Sequence, residues 1–536
     1  MILPELNVLT QPLLQVSPDC YASLPGLLTL LVQDKVDGYP SLRPHQSPAW
    51  HMFLVQLAAL ALHRAGTSRL PETEDEWAHS LRGLTPQFPE DEPWCLIVED
   101  PNKPAFFQPP VPQSVELKSF VLTADALDLL ITSKNHDLKQ AVAYEAEAQD
   151  WIYSLVSLQT TEGFGGRSNY GIARMNGGSS SRPMLGLAPL SQDAYKVNTP
   201  RPGKWFVRDL TVLLGTRDEE LKEYRHLGYA PTGGLGLTWL APWNEGEQLA
   251  LGDLDIWFVE VCRRVRLSME CGRIVGRRGN SKASRIAAGQ LKGAVGDPWA
   301  PVERTENKNL TLSEADFDYT MLVKLLLSGD YKLPILARPS EFESLEQTQV
   351  IVAQALSRGN CKTYGFKSRI LPVGGKISHA LSLEPKREKL HELAVKQIAE
   401  IKKFDKSLRD ALVLIASGGN IDREKIKKEH YGRTNEARSR FDRVADTMFF
   451  EHLWKRFEAQ EVSLDALQLE ERSFVQGLYL QARSILEAAL PSIPCVRLFR
   501  PRAEARAHKR FYQSVRSEFP ELFQKPVHEE TNDAVA

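Results

Sequence analysis

Two stretches near the start of the chain carry apolar residues at helical spacing. They are residues 24–33 (LPGLLTLLVQ) and residues 47–66 (SPAWHMFLVQLAALALHRAG). In the second stretch Ser47 is the predicted N-cap, Pro48 fits the first turn and Gly66 ends the helix. The pattern therefore predicts a short apolar helix followed by a long one.

The middle of the chain mixes helical and irregular patterns. Residues 123–131 (TADALDLLI) and 141–160 (AVAYEAEAQDWIYSLVSLQT) have a helical pattern. Residues 91–112 mix a strand pattern with proline-rich turns. Residues 161–183 hold so much glycine and serine that they predict a loop. A mixed region follows to about residue 330, so this part of the chain predicts a mixed α/β domain.

The pattern changes at about residue 380, where long amphipathic stretches begin. The first ends at Gly418 and Gly419, a typical helix stop. Four such stretches are present, over residues 384–417, 433–460, 470–492 and 500–519. Long helices joined by short loops predict a helical bundle.

The length of the chain agrees with this division, because 536 residues are too many for one compact core. We expect an α+β protein with a mixed α/β domain over residues 1–380. A four-helix bundle over residues 381–524 and a disordered tail over residues 525–536 follow. The first residues do not resemble a signal peptide, and the longest apolar stretch is about half a membrane span. We therefore expect a cytoplasmic protein without a membrane partner.

The charges are clustered, although the net charge is only −2. Residues 262–292, here called the basic segment, hold nine cations and one acid. Residues 497–516 hold seven cations and one acid. Such clusters suit a polyanion that is bound at chosen places. The alternative is that they are solvated helix faces whose counterions lie elsewhere in the fold.

A search for catalytic motifs finds none of the usual patterns. The glycine-rich stretches do not match a phosphate-binding loop or a dinucleotide fingerprint, and no carboxylate cluster has the spacing of a magnesium site. Residues 133–137 (SKNHD) resemble part of a nuclease motif, but such residues are common in polar loops. We therefore expect no catalytic residue and no cofactor. A nuclease built from dispersed carboxylates and a purely structural scaffold remain as alternatives.

Three loops combine glycine or polar tips with cations. They are residues 132–139 (TSKNHDLK), 163–171 (GFGGRSNYG) and 356–369 (LSRGNCKTYGFKSR). Glycine lets a backbone approach another molecule closely, and turns of this kind present N–H groups to phosphate oxygens. Each loop alone could be a plain turn. Together with the basic segment they favour nucleic acid, and they suit the narrow minor groove of DNA.

Four segments carry a resemblance to a known family. They are residues 23–62, 123–139, 163–178 and 357–366. In this order they resemble the large subunit (CasA) of the type I-E CRISPR surveillance complex Cascade. The resemblance covers nearly the whole chain and implies an α/β domain followed by a four-helix bundle.

The resemblance also implies a function. A CasA subunit lies at the end of the complex that holds the 5′ handle of the guide RNA. It recognises the protospacer-adjacent motif of double-stranded DNA, chiefly from the minor groove, and opens the duplex for pairing with the guide. It also helps to recruit a helicase–nuclease. The implied partners are the other Cascade subunits, the guide RNA 5′ handle, the target DNA and the helicase–nuclease, and the implied role is non-catalytic.

The resemblance assigns DNA contacts to three loops and to the basic segment. The residues that match are Lys134, Asn135, Gly163, Phe164, Gly165, Gly166, Gly359 and Asn360. Three cations beside these loops, Arg167, Arg358 and Lys362, are further candidate DNA contacts. A lysine finger from the basic segment is also implied, with Lys282 as the first candidate and Arg285 as the second. We further expect Arg358, Lys362, Lys367 and Arg369 to grip the phosphate backbone.

Two features differ from the family pattern. Asn360 stands at the tip of the wedge hairpin, where the family usually has glutamine, so its amide is one methylene shorter. Some family members also carry paired cysteines that resemble a zinc site. Cys262 and Cys271 lack CxxC partners, so we expect no metal.

Overall fold

The computed structural model describes residues 6–129, 146–190, 199–340, 343, 348–359 and 362–523. The chain divides into two compact units. The first contains the residues up to Phe317 together with Lys324–Ser382. The second contains Asp318–Val323 and the residues from Leu383 onward.

The helices and strands alternate irregularly along the first part of the chain. The helices are α1 (Leu24–Val32), α2 (Ser47–Arg64), α3 (Glu74–Arg82), α4 (Ala148–Thr161), α5 (Pro202–Glu223), α6 (Tyr319–Leu326) and α7 (Gly375–Ser382). The strands are β1 (Leu14–Ser17), β2 (Cys20–Ala22), β3 (Ser119–Val121), β4 (Met184–Pro189), β5 (Leu235–Leu237), β6 (Leu254–Val259), β7 (Arg264–Glu270), β8 (Arg273–Gly279), β9 (Val302–Glu303), β10 (Lys308–Asn309), β11 (Tyr331–Lys332), β12 (Gln349–Gly359) and β13 (Lys362–Val373).

The strands form small separate sheets. Two of these sheets carry the site described below. In one, β12 lies between β13 and β4, and all three strands are antiparallel to their neighbours. In the other, β8 lies between β3 and β7, again antiparallel. The predicted α+β class is confirmed.

Helix α2 is the centre of the core of the first unit. It packs against α3, α4, α5 and β6, which explains why its sequence is apolar on nearly every side. The N-cap prediction is wrong. Gln46 occupies that position, Ser47 is already helical, and the Gln46 side chain donates to Asp128 instead. Gly66 adopts φ +66° just past the end of the helix, as predicted.

The helix predicted over residues 123–131 is also wrong for its described part. A single 3₁₀ turn forms over Ala124–Ala126. The Asp128 carboxylate accepts hydrogen bonds from Gln46 and Arg43 and lies 2.7 Å from the ring nitrogen of His45. These tertiary contacts outweigh a weak helical pattern. Residues 91–112, whose sequence has a partial strand pattern, form a 3₁₀ turn over Glu92–Trp94 and none of the strands β1–β13.

The second unit is the predicted helical bundle. Its helices are α8 (Glu384–Ala416), α9 (Lys428–Gly432), α10 (Asn435–Val462), α11 (Leu464–Ala489) and α12 (Arg500–Glu518). Helix α8 packs against α10, α11 and α12, and α10 packs against α11. Phenylalanines such as Phe404, Phe449 and Phe511 fill the interior.

Some cations of the basic run at residues 497–516 stabilise this bundle. Helix α8 ends at Gly418 and Gly419, whose φ values are +68° and +79°. Arg502 and Arg506 of α12 donate hydrogen bonds to the carbonyl groups of these two glycines. Cations are favourable at a helix C-terminus, so these two arginines stabilise the end of α8. No helix in the described part of the chain is long and apolar enough to cross a membrane.

Candidate nucleic-acid interface

The glycine loop (residues 163–171) follows directly after α4. The Gly163 N–H donates to the Ser180 carbonyl at 3.1 Å, and the Phe164 N–H donates to Gly178 at 2.9 Å. A Cβ on Gly163 would lie only 2.3 Å from the Ser180 oxygen, so no side chain fits there. Gly166 adopts φ +111° and has open space around it. The outer part of the loop therefore presents bare backbone to solvent.

Arg263 holds the glycine loop in place. Its guanidinium donates to the Gly163 carbonyl at 2.9 Å and also to the carbonyl of Tyr170. These two carbonyls lie at opposite ends of the loop. Arg263 is buried, so one cation from the basic segment closes the base of the loop.

The buried carboxylate of Glu162 joins this arrangement to the third predicted loop. It lies 3.3 Å from Arg263 and 3.1 Å from Arg358. Burial alone would raise the pKa of Glu162, but the two guanidinium groups outweigh burial and hold this pKa below its ordinary value. A single ionised carboxylate thus connects the glycine loop, the basic segment and the stretch around Arg358.

That stretch is a long hairpin. Strands β12 and β13 pair from Gln349 with Val373 to Gly359 with Lys362. A register shift after Ser357 places Tyr364 against Gly359, where a Cβ would meet the tyrosine ring at 2.9 Å. The hairpin implied by the resemblance is therefore present. Asn360 and Cys361, which join its strands, lie outside the described residues.

The cations of the hairpin have different surroundings. Arg358 faces Glu162, and its side chain is only 14% exposed. It therefore does not project into solvent, contrary to the expectation that it grips the DNA backbone. Lys367 lies 2.6 Å from the Asp316 carboxylate. Lys362, beside the tip, is exposed. Only part of the positive charge that the sequence shows here is thus open to solvent.

The cations of the basic segment also divide into buried and exposed ones. Four of its arginines are buried and bind the chain itself: Arg263, Arg264, Arg266 and Arg285. Arg266 donates to the carbonyls of Val98, Asp100 and Lys103. Burial lowers the pKa of Arg266 to about 10, and that of Arg285 likewise, so both remain cations at neutral pH. Because carbonyl groups carry no net charge, these cations keep the local potential positive.

The two candidates for the lysine finger differ sharply. Arg285 is 2% exposed and donates to the carbonyls of Thr238, Ala241 and Pro242. The Lys282 side chain is 70% exposed and forms a surface ion pair with Glu245. Since a finger must leave the protein surface, the geometry favours Lys282.

A cleft of about 800 Å³ opens beside the glycine loop. Gly165 and Asn169 line one side, and Phe120 and Arg278 line the other. The Phe120 ring is 56% exposed, and the Arg277 guanidinium lies 4.5 Å from its centre. The Arg278 backbone pairs with β3 and β7, but its guanidinium has no hydrogen-bond acceptor among the described residues. Burial lowers the pKa of Arg278, while Glu162 attracts its charge. In the described part of the chain, the cleft thus offers an aromatic face and a guanidinium without an acceptor.

The described residues contain no group of three or more histidine, cysteine, aspartate or glutamate side chains that could hold a metal ion. Cys262 is buried and Cys271 is exposed.

No family model and no curated protein matches the sequence. Solved structures nevertheless match nearly the whole chain. CasA from Thermus thermophilus aligns with a TM-score of 0.63 and 15% identity, over 96% of this chain and 100% of that one. The chain has the CasA (Cse1) fold. Thermobifida fusca Cse1 aligns with a TM-score of 0.61 and 13% identity, over 96% and 98% of the two chains. The CRISPR-associated protein Cse1 from Acidimicrobium ferrooxidans gives a TM-score of 0.56 and 14% identity over the same shares.

The CasA fold therefore confirms the architecture that the resemblance implied. At 13–15% identity it is the fold that is shared, so the role of each residue depends on the geometry above. The Glu162–Arg358 ion pair joins the glycine loop, which holds Gly163–Arg167, to the hairpin, which holds Arg358, Gly359 and Lys362. Lys134 and Asn135 lie outside the described residues.

Sequence reasoning missed three residues of this site. Arg278 was visible only as one of nine cations in the basic segment. Phe120 belongs to a strand of three residues, which is too short for a pattern. Glu162 precedes a glycine-rich stretch and has no sequence neighbour that reveals its two partners. Their positions follow from tertiary contacts alone.

Proposed function

We propose that this chain is the large subunit of a type I-E CRISPR Cascade complex and recognises the protospacer-adjacent motif in double-stranded DNA. The observation that carries the proposal is the Glu162 carboxylate, which binds both Arg263 and Arg358. Through it the glycine loop, the basic segment and the hairpin are joined, and the surface that they form is here called the reading surface.

The glycine loop would contact the motif base pairs. Gly165 and Gly166 have no side chain, so their backbone can approach base edges in the narrow minor groove. Arg263 fixes the base of the loop, which lowers the entropy cost of binding. Lys282 is exposed and supplies a finger beside it. A short motif checked by few contacts suits a protein that must reject most duplexes quickly.

The cleft beside the loop would hold the DNA backbone. Arg278 lacks a hydrogen-bond acceptor within the described residues, and a phosphate oxygen would supply one. The buried arginines that bind carbonyl groups add a positive field around it. The proposed affinity is therefore strongly dependent on salt.

The hairpin would separate the strands next to the motif. Gly359, Asn360 and Lys362 would act at its end, and Arg358 anchors that end to Glu162 from within. A wedge must stay in place when the duplex presses on it, and a buried ion pair just behind the tip gives such support. Pairing with the guide RNA, contact with its 5′ handle and with the other Cascade subunits, and recruitment of a helicase–nuclease complete the proposed role in the cytoplasm.

The proposal is tested with the assembled complex and labelled duplexes. Gly165→Asp places a carboxylate on the loop face, so binding of a motif-bearing duplex should weaken about 10-fold or more, because like charges repel. Gly215→Asp, the same change at an exposed position of α5, is the control and should bind as wild type does. Equal motif-dependent affinity for wild type and Gly165→Asp would overturn the assignment of the loop.

The proposed role is non-catalytic, and this has its own test. The purified chain is incubated with labelled duplex and Mg²⁺ or Mn²⁺. Intact duplex is expected, and metal-dependent cleavage would replace the proposal with the nuclease alternative.

A further inference from the structure

An acidic segment of the chain lies on the reading surface. Residues 313–316 (SEAD) are exposed between two buried anchors, Leu312 and Phe317. The Leu312 carbonyl accepts a hydrogen bond from the Ser180 hydroxyl at 2.6 Å, and the Ser180 carbonyl binds Gly163 of the glycine loop. The segment is therefore fixed to the structure that carries the loop.

From these anchors the segment reaches the hairpin at two points. Asp316 lies 2.6 Å from the Lys367 ammonium group, and the Lys367 side chain is only 19% exposed. The Glu314 carboxylate is close enough to the Tyr364 hydroxyl to raise the pKa of Tyr364. Both contacts are made by side chains of β13, the strand at the open edge of its sheet.

A carboxylate bound to a lysine offers the same chemistry as a DNA phosphate, an anionic oxygen that accepts a charge-assisted hydrogen bond. The ammonium group has three N–H donors, but a phosphate beside the Asp316 carboxylate would be repelled by it. DNA and Asp316 therefore compete for Lys367.

We infer that residues 313–316 are an intramolecular competitor for DNA and occupy the phosphate site of Lys367 until a duplex displaces them. This inference rests on the proposed function, because it concerns the same reading surface. It assigns to Glu314 and Asp316 the role of weakening DNA binding by the hairpin. The consequence is that any duplex, with or without the motif, binds this side of the hairpin less tightly.

The experiment is a double-mutant cycle on the assembled complex, with the affinity for a motif-bearing duplex measured by fluorescence anisotropy. Asp316→Asn frees Lys367 and should tighten binding about two- to five-fold, the range expected for one surface ion pair. Lys367→Met should weaken binding. In the Lys367→Met background, Asp316→Asn should have no further effect, because the site that it frees no longer exists.

Asp218→Asn on α5 is the matched control, since it removes the same charge from an exposed position outside the reading surface. It should leave affinity unchanged. If Asp316→Asn tightens binding equally with and without Lys367, Asp316 acts by general repulsion and the inference is overturned. No change in either background would also overturn it. If wild type itself shows no preference for the motif, the proposed function fails, and that outcome is visible before the cycle is compared.

Discussion

The Glu162 carboxylate lies 3.1 Å from the Arg358 guanidinium, although 196 positions separate the two residues in the sequence. Glu162 immediately precedes the glycine loop, and Arg358 lies two positions before the tip of the hairpin. The contact therefore fixes the distance between the element proposed to read the motif and the element proposed to open the duplex. Coupling of these two steps would follow from this geometry.

Loss of the Glu162–Arg358 pair should weaken the fold and DNA binding together. Arg358→Met removes one of the two cations that neutralise a buried carboxylate, which should cost about 2–4 kcal/mol of unfolding free energy. Urea unfolding followed by tryptophan fluorescence measures this cost. Arg358→Lys keeps the charge and should lose less. Equal stability of Arg358→Met and wild type would show that the pair does not support the loop.

The backbone geometry of the glycine loop gives a second prediction. A Cβ at position 163 would lie 2.3 Å and 2.4 Å from two carbonyl oxygens, so Gly163→Ala must move the backbone of the loop. We expect a loss of at least about 2 kcal/mol in stability, as for other overpacked sites. At Gly178 the nearest atoms to an added Cβ are at 3.4 Å, so Gly178→Ala is the matched control. Thermal unfolding distinguishes the two, and similar melting temperatures would contradict the described path of the loop.

The two candidates for the finger should behave in opposite ways. Lys282→Ala should weaken DNA binding without changing the melting temperature, because the side chain is exposed. Arg285→Ala should lower the melting temperature, because three carbonyl groups lose their donor. Anisotropy and thermal unfolding on both variants check this. A stable Arg285→Ala variant with weak DNA binding would reverse the assignment.

A buried carboxyl next to the glycine loop predicts a pH dependence of stability. Burial raises the pKa of Glu260 to about 7, although Arg174 opposes this, and its oxygen accepts the Ala173 N–H at 2.6 Å. The folded protein thus keeps a proton that the unfolded chain releases near pH 4.5. Stability should fall by about 2–3 kcal/mol as the pH rises from about 4.5 to 7, and then level off.

Glu260→Gln removes this titration. The variant should therefore show a flatter dependence of unfolding free energy on pH over the same interval, measured by urea unfolding. An unchanged slope in the variant would mean that another group titrates.

The four long helices of the bundle could be predicted from the sequence because each buries one face, so apolar residues recur at helical spacing over 19 or more residues. Helix α2 was equally clear. The predicted cap at Ser47 failed because Gln46 turns to Asp128, a contact across 82 positions. The same carboxylate explains the missing helix after Thr123.

The site was predictable in part for similar reasons. The glycine loop can be predicted from the composition, because its turn and close contacts require glycine. The roles of the cations cannot be predicted in this way. A sequence does not distinguish Arg285, which binds carbonyl groups inside the fold, from Lys282, which faces solvent. The cluster of positive charge was visible, whereas its division between structure and surface depends on tertiary packing.

Site-specific photo-crosslinking tests the central claim most directly. A photoreactive phenylalanine analogue replaces Arg167 on the glycine loop, Lys362 beside the hairpin tip, or Asp218 on α5, in the assembled complex with a motif-bearing duplex. We expect crosslinks from position 167 to the motif base pairs and from position 362 to the adjacent base pairs, with none from position 218. A lack of crosslinks from positions 167 and 362 would contradict a single surface that reads the motif and opens the DNA. So would crosslinks that stay at the same base pairs when the motif is moved along the duplex.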